Sequence, residues 1–217
     1  MLTIHHLGRS QSERVVWLCE ELGVPYELKR YDRRADNRLG PPEYKALDAM
    51  GIAPVISDGD LTLGESGAIV EYIIQTYGDG RLTCKRGDPG FTDYLYWFHF
   101  ANGTLQPTVG RVMILGRLDP TGTSAPAQAT MDRFGLVLST LNARLGKVAY
   151  LAGAELTAAD IMSVFSLTTM RLFAPFDLSG YPNILGYLQR IGARPAYQRA
   201  MAKADPDLTP MLGATLD

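Results

Sequence analysis

Gly51-Ile52-Ala53-Pro54-Val55-Ile56-Ser57, then Asp58-Gly59-Asp60, then Leu61-Thr62-Leu63-Gly64-Glu65-Ser66, is the stretch whose reading decides the fold. Two short runs on either side of an Asp-Gly turn predict a β-hairpin. Gly64-Glu65-Ser66 then opens a helix with Ile69, Val70, Ile73 and Ile74 along one side and an end near Gly78. Upstream, Leu2 to His6 is a short strand, followed by the loop Leu7-Gly8-Arg9-Ser10-Gln11-Ser12. Val15, Val16, Leu18, Cys19 and Leu22 then share one helix face, and Gly23 and Pro25 stop that helix. Tyr26 to Arg30 is a second strand, and one helix between two strands makes a parallel β-α-β unit. A polar, basic loop from Asp32 to Pro42 leads to a short helix around Glu43 to Leu47. The order βαβαββα over residues 1–79 is that of an α/β domain.

Downstream, Gly78 to Gly90 is rich in Gly, Asp, Lys and Arg and forms a linker. Everything beyond it is helical in pattern. Phe91 to Phe100 is crowded with aromatics, and Met131 to Leu145 has helical spacing. Thr157-Ala158-Ala159-Asp160 starts another helix with a cap and an acid at its third position. Tyr181 to Ile191 and Pro195 to Ala204 complete an all-helical domain over residues 90–217.

The totals exclude several classes of function. The 217 residues carry a formal net charge of −2, so no global field draws a phosphate backbone, and nucleic acid is not an expected partner. No stretch approaches eighteen uninterrupted apolar residues, and Met1-Leu2-Thr3-Ile4-His5-His6 lacks a charged leader followed by a long apolar core, which predicts a soluble, cytoplasmic protein with no membrane partner. Cys19 and Cys84 lack a C-x-x-C spacing, and His5, His6 and His99 are scattered, so neither a disulfide framework nor a metal site is expected. Cys19 lies on the apolar helix face as a buried thiol, and His5 and His6 are taken as strand residues.

The chemistry gathers in the first domain. Pro54 at a strand start leaves Ala53 with backbone N–H and C=O groups that a peptide ligand could pair with as an added strand. Ser66 at a helix start offers a hydroxyl, amide N–H groups and the positive end of the helix dipole to a carboxylate, and Glu65 beside it could hold an amine. Ser10 and Ser12 put hydroxyls at the start of the first helix, where a donor would lower the pKa of a ligand thiol. A shift of about two units corresponds to about 2.7 kcal/mol in favour of the thiolate, within reach of one charge-assisted hydrogen bond and a helix dipole. No cysteine stands in the Arg9 to Ser12 turn, which argues against disulfide exchange.

Gly51-Ile52-Ala53-Pro54-Val55-Ile56 with Leu63-Gly64-Glu65-Ser66-Gly67-Ala68-Ile69 resembles the cytosolic glutathione S-transferase family, in which a cis-proline precedes an E-S-x-A-I helix start. Ser10-Gln11-Ser12-Glu13-Arg14 is similar to the S-Q-x-x-R segment of serine-type members, a theta-like or related bacterial or fungal class. Thr157-Ala158-Ala159-Asp160-Ile161 and Arg194-Pro195-Ala196-Tyr197 extend the likeness over nearly the whole chain. The resemblance implies a thioredoxin-like first domain, a helical-bundle second domain and a homodimer active in detoxification. It implies glutathione as co-substrate on Ala53, Pro54, Glu65 and Ser66, with Ser10 as thiol activator and Ser12 as second choice and helix cap. A small hydrophobic electrophile would meet the helical domain, with Trp97, Asn102, Arg111 and Met113 as candidates. Ile52 departs from the family, which often carries a cation there for the glycyl carboxylate. Arg33, Arg34 and Arg38 are left unassigned on a solvated loop.

Two other classes of function share this scaffold. One is a glutathione-dependent peroxidase, dehalogenase, isomerase or ether-cleaving enzyme, since fold does not fix the reaction. The other is a non-enzymatic, transferase-like binding module, against which the presence of Ser10, Glu65 and Ser66 speaks.

Overall fold

The computed structural model describes residues 1–215. The chain divides into two compact units: Met1–Leu82 with Gly192–Pro210, and Thr83–Ile191 with Met211–Asp217. The sequence reading assigned every helix after the linker to one domain. The chain instead returns to its first unit near the end.

In the first unit, strands β1 (Leu2–Leu7), β2 (Glu27–Tyr31), β3 (Val55–Asp58) and β4 (Leu61–Leu63) form a sheet in the order β2-β1-β3-β4. β1 pairs in parallel with β2 and antiparallel with β3, which pairs antiparallel with β4. The parallel pair is joined by helix α1 (Glu13–Leu22), as a crossover of this length requires. Gly23 ends α1 in the left-handed conformation at φ 66°, its N–H bonding the Cys19 carbonyl. The short α2 (Pro42–Lys45) follows the arginine-rich loop, and α3 (Ser66–Tyr77) buries Ile69, Val70, Ile73 and Ile74. Burial pushes the Cys19 thiol up to about 12, which makes it inert packing.

The late helix α9 (Pro195–Ala204) packs against α1. Trp17 meets Tyr197 edge to face with centroids 5.1 Å apart, and Arg194 forks onto Glu21 through bonds of 2.7 and 2.8 Å. Arg199 bonds Glu20 at 2.9 Å, and Lys203 also pairs with Glu20. Residue 205 is thereby carried to the end of β1.

In the second unit, α4 (Phe91–Phe100) runs through a π turn, Ala101–Leu105, into α5 (Gln106–Leu118). Pro107 has no N–H to give the Gly103 carbonyl, which accounts for the widened turn. The polar and glycine positions of α5 blur its apolar stripe, so the sequence does not mark it as a separate helix. Helices α6 (Ala125–Leu145), α7 (Ala158–Leu167) and α8 (Pro182–Gly192) complete the unit, with a single 3₁₀ turn at Thr169–Leu172. Thr157 and Asp160 form the expected capping box. The buried Asp160 carboxylate accepts from Leu151 N at 2.8 Å, Thr157 N at 2.9 Å, Thr157 Oγ1 at 3.2 Å and Tyr187 Oη at 3.1 Å. Burial still pushes its pKa up to about 6 against those four donors. Among the described residues, no helix is long and apolar enough to cross a membrane.

Candidate functional site

The site in the first unit grows from the loop between β1 and α1. Arg9 is held at φ 54°, an unusual conformation for a residue with a side chain, by its N–H donating to both oxygens of Asp205 at 3.0 and 3.2 Å. The turn closes with Glu13 N donating to the Ser10 carbonyl at 3.1 Å. This puts Ser10 at the positive end of α1. Arg33 fastens the same loop from outside, donating to the carbonyls of Gly8 (2.8 Å), Arg9 (3.2 Å) and Arg38 (2.8 Å). It therefore braces the loop, although the sequence suggested only a solvated cation, and burial lowers its pKa.

Ser10 and Ser12 are not alternatives but neighbours. Their Oγ atoms lie 2.7 Å apart, and Ser12 N donates to Ser10 Oγ at 3.2 Å. Ser12 does not cap α1 through its side chain. Its Oγ meets His6 Nδ1 at 2.8 Å, and His6 Nε2 meets Asp205 Oδ2 at 3.1 Å. All four side chains are buried, with exposures of 4% for Ser10, 0% for Ser12 and His6, and 6% for Asp205. Burial would raise the Asp205 pKa, but the bond from His6 and the Arg9 N–H hold it below the ordinary carboxylate value.

A second network joins the other predicted residues. The Ala53–Pro54 bond is cis, as the motif required. The Ala53 carbonyl, expected to await a ligand, accepts from the Gln11 side-chain amide at 2.7 Å. A carbonyl has two lone pairs, so one more donor fits. Gln11 Oε1 accepts from Arg14 Nη1 at 2.8 Å, and Arg14 Nη1 also reaches Ser66 Oγ at 3.3 Å. Arg14 is fully buried, and burial lowers its pKa to about 9, so it is still a cation at neutral pH beneath the start of α3. Ser66 is buried, whereas Glu65 is exposed and held at φ 65°. A buried cation, a helix N-terminus and the Ser66 hydroxyl together suit a carboxylate.

Ile52, where the family often carries a cation, is 52% exposed. Beside it, Gly51 at φ 61° lets Lys45 pack close, with Lys45 Cβ 3.3 Å from where a Gly51 Cβ would stand. Of the second-unit candidates, Trp97 is buried and packs edge to face on Tyr96 and Phe100 at 5.0 and 4.9 Å. Asn102 is half-buried in the π turn, Met113 is half-buried on α5 and Arg111 is exposed.

His6, Asp205, Gln11 and Arg14 were not singled out from sequence. Gln11 and Arg14 lay inside the quoted S-Q-x-x-R segment, and their i, i+3 spacing was the available signal. For His6 the signal was strand alternation: His5 and His6 must face opposite sides of β1, and His5 bonds Tyr31 Oη and Ser57 Oγ, each at 3.0 Å.

Comparison with known proteins gives a consistent picture. Residues 3–75 match the family model described as glutathione S-transferase, N-terminal domain, and residues 112–195 match glutathione S-transferase, C-terminal domain. Glutathione S-transferase 3 of Schizosaccharomyces pombe is 30% identical, the match covering 94% of this chain and 88% of that one. A crystal structure of a glutathione S-transferase from Actinobacillus pleuropneumoniae superimposes with a TM-score of 0.86 at 33% identity, covering 94% and 93% of the two chains. A glutathione transferase from Burkholderia graminis, described with two glutathione molecules bound per subunit, shares the fold with a TM-score of 0.74 at 24% identity, covering 96% and 89%.

Proposed function

Because the chain belongs to the glutathione S-transferase family, we propose that it transfers the thiolate of glutathione to a small hydrophobic electrophile, with Ser10 as the group that faces the sulfur. The observation that carries this reading is the gathering of two hydrogen-bonded groups at the start of α1, Ser10 with Ser12 and, through Gln11 and Arg14, the cis Ala53–Pro54 position with Ser66. The γ-glutamyl carboxylate would take the Ser66 hydroxyl and the N-terminus of α3, with Arg14 beneath, and the exposed Glu65 would take the amine. The peptide middle would pair with the backbone of Ala53. Lys45, packed against Gly51, is the cation nearest in sequence to Ile52 and is our choice for the glycyl carboxylate.

Catalysis in this scheme is thiolate formation followed by attack. Ser10 donates to the sulfur from the positive end of α1, raising the thiolate fraction at neutral pH. The electrophile would be received by the second unit, with Trp97, Asn102, Arg111 and Met113 as contacts. We further propose a cytoplasmic homodimer acting in detoxification. The reading is tested by retention on immobilised glutathione and by turnover of a panel of alkyl and aryl halides, activated alkenes and hydroperoxides. Failure to bind glutathione would return the protein to a non-catalytic module, and turnover of hydroperoxides alone would replace conjugation by peroxide reduction.

A further inference from the structure

We propose that His6 and Asp205 receive the proton that the glutathione thiol gives up, through Ser12 and Ser10 as a two-hydroxyl relay. The inference rests on the proposed role of Ser10 and adds where the proton goes.

One consistent set of bond directions starts from the carboxylate. The Asp205 carboxylate, held by the Arg9 N–H, only accepts, so His6 Nε2–H donates to it. In that tautomer Nδ1 is an acceptor, and the Ser12 hydroxyl at 2.8 Å donates to it rather than to the more distant Leu7 carbonyl at 3.4 Å. With that hydrogen committed, the 2.7 Å contact between the two serines is a donation from Ser10 to Ser12. In this resting polarity the Ser10 hydrogen points away from any thiolate. Ser10 Oγ offers the incoming thiol a lone pair instead.

One concerted shift reverses the chain. The thiol S–H bond breaks as its proton joins Ser10 Oγ, the Ser10 proton passes to Ser12 Oγ, and the Ser12 proton passes to His6 Nδ1. The products are a thiolate and an imidazolium, and no proton enters the solvent. Ser10 now carries a hydrogen aimed at the sulfur, Ser12 donates to Ser10, and the imidazolium donates to Ser12 and Asp205. The pair His6–Asp205 is completely or nearly withdrawn from water, so the imidazolium is compensated by the carboxylate rather than by solvent. The other charged groups that act on Asp205 are Arg30, whose residue pairs with His6 across β1 and β2, and Arg33 on the bracing loop. Asp205 also borders a groove of about 530 Å³ lined by Gly8, Arg9, Arg30 and Arg33, through which the proton leaves after the sulfur has reacted.

His6 touches neither substrate nor sulfur and is a positioning and proton-holding residue. The test mixes protein with glutathione in weak buffer at neutral pH. It records thiolate by its ultraviolet absorbance and released protons by an indicator dye. Wild type should form thiolate with far less than one proton released per thiolate. His6→Gln keeps an acceptor for Ser12 and a donor for Asp205 but cannot hold the proton. It should form about tenfold less thiolate at neutral pH, and each thiolate should be matched by one proton in solution. Asp205→Asn should fall between the two. One proton released per thiolate in wild type, or a His6→Gln protein equal to wild type in both signals, overturns the relay while leaving Ser10 as activator. Absence of thiolate in wild type overturns the activator reading itself. Should His6→Gln not fold, the wild-type ratio alone decides.

Discussion

Among the described residues each unit buries one aspartate, and the two differ in what they are bonded to. Asp160 collects four donors from its own neighbourhood, two of them backbone N–H groups and one the Tyr187 hydroxyl, and its bonds lead nowhere else. Asp205 collects the Arg9 N–H and then an imidazole that continues through Ser12 to Ser10. Burial wins at Asp160, whose pKa rises. The imidazole wins at Asp205, whose pKa falls. The difference teaches that burial alone does not mark a working carboxylate. What marks it is a chain of titratable and hydroxyl groups ending where a ligand can arrive.

The contrast can be broken at either end. Asp160→Ala leaves two buried N–H groups without acceptors and should lower unfolding stability by about 3 kcal/mol or more in urea titration, with the thiol titration of the folded fraction unmoved. Ser10→Ala should lower kcat/KM for conjugation about 100-fold, equivalent to about 2.7 kcal/mol, with glutathione affinity largely retained and a loss of about 1 kcal/mol of stability because Ser12 N loses its acceptor. Full activity in that variant would transfer the role to Ser12 or to a backbone N–H. Ser66→Ala removes a ligand contact without touching the serine relay, so KM for glutathione should rise about tenfold while the pH midpoint of thiolate formation stays put. Thr157→Ala is the mildest. It leaves Asp160 in place and should remove about 1 kcal/mol of stability with no change in KM.

The sequence was most legible where chemistry is local. Pro54, Glu65 and Ser66 announced themselves because a cis-proline hairpin and a helix start are each specified within a few residues, and the Asp58-Gly59 turn sufficed for the β3–β4 hairpin, though not for the β1–β3 pairing that joins it to the parallel strands. The capping box at Thr157 and Asp160 was legible for the same reason. Ser12 was misjudged as a side-chain cap because spacing cannot tell a hydroxyl aimed at its own helix from one aimed at the strand before it. The Gln11 bond to the Ala53 carbonyl was not legible, because the two residues are 42 positions apart in the chain. Asp205 was invisible: nothing in Ala204-Asp205-Pro206 announces that it will meet residue 6. Contacts at such separation depend on how α9 docks against α1, which is a property of side-chain packing.

That docking sets a rule for synthesis. During translation residues 1–82 leave the ribosome with the α1 face on which Trp17 meets Tyr197 still bare, and with Arg9 and His6 lacking their carboxylate. The first unit is completed only when its last helix emerges. A gene cut after residue 82 would thus encode the sheet without the partner that closes it. A useful minimal version would have to splice residues 192–210 back on.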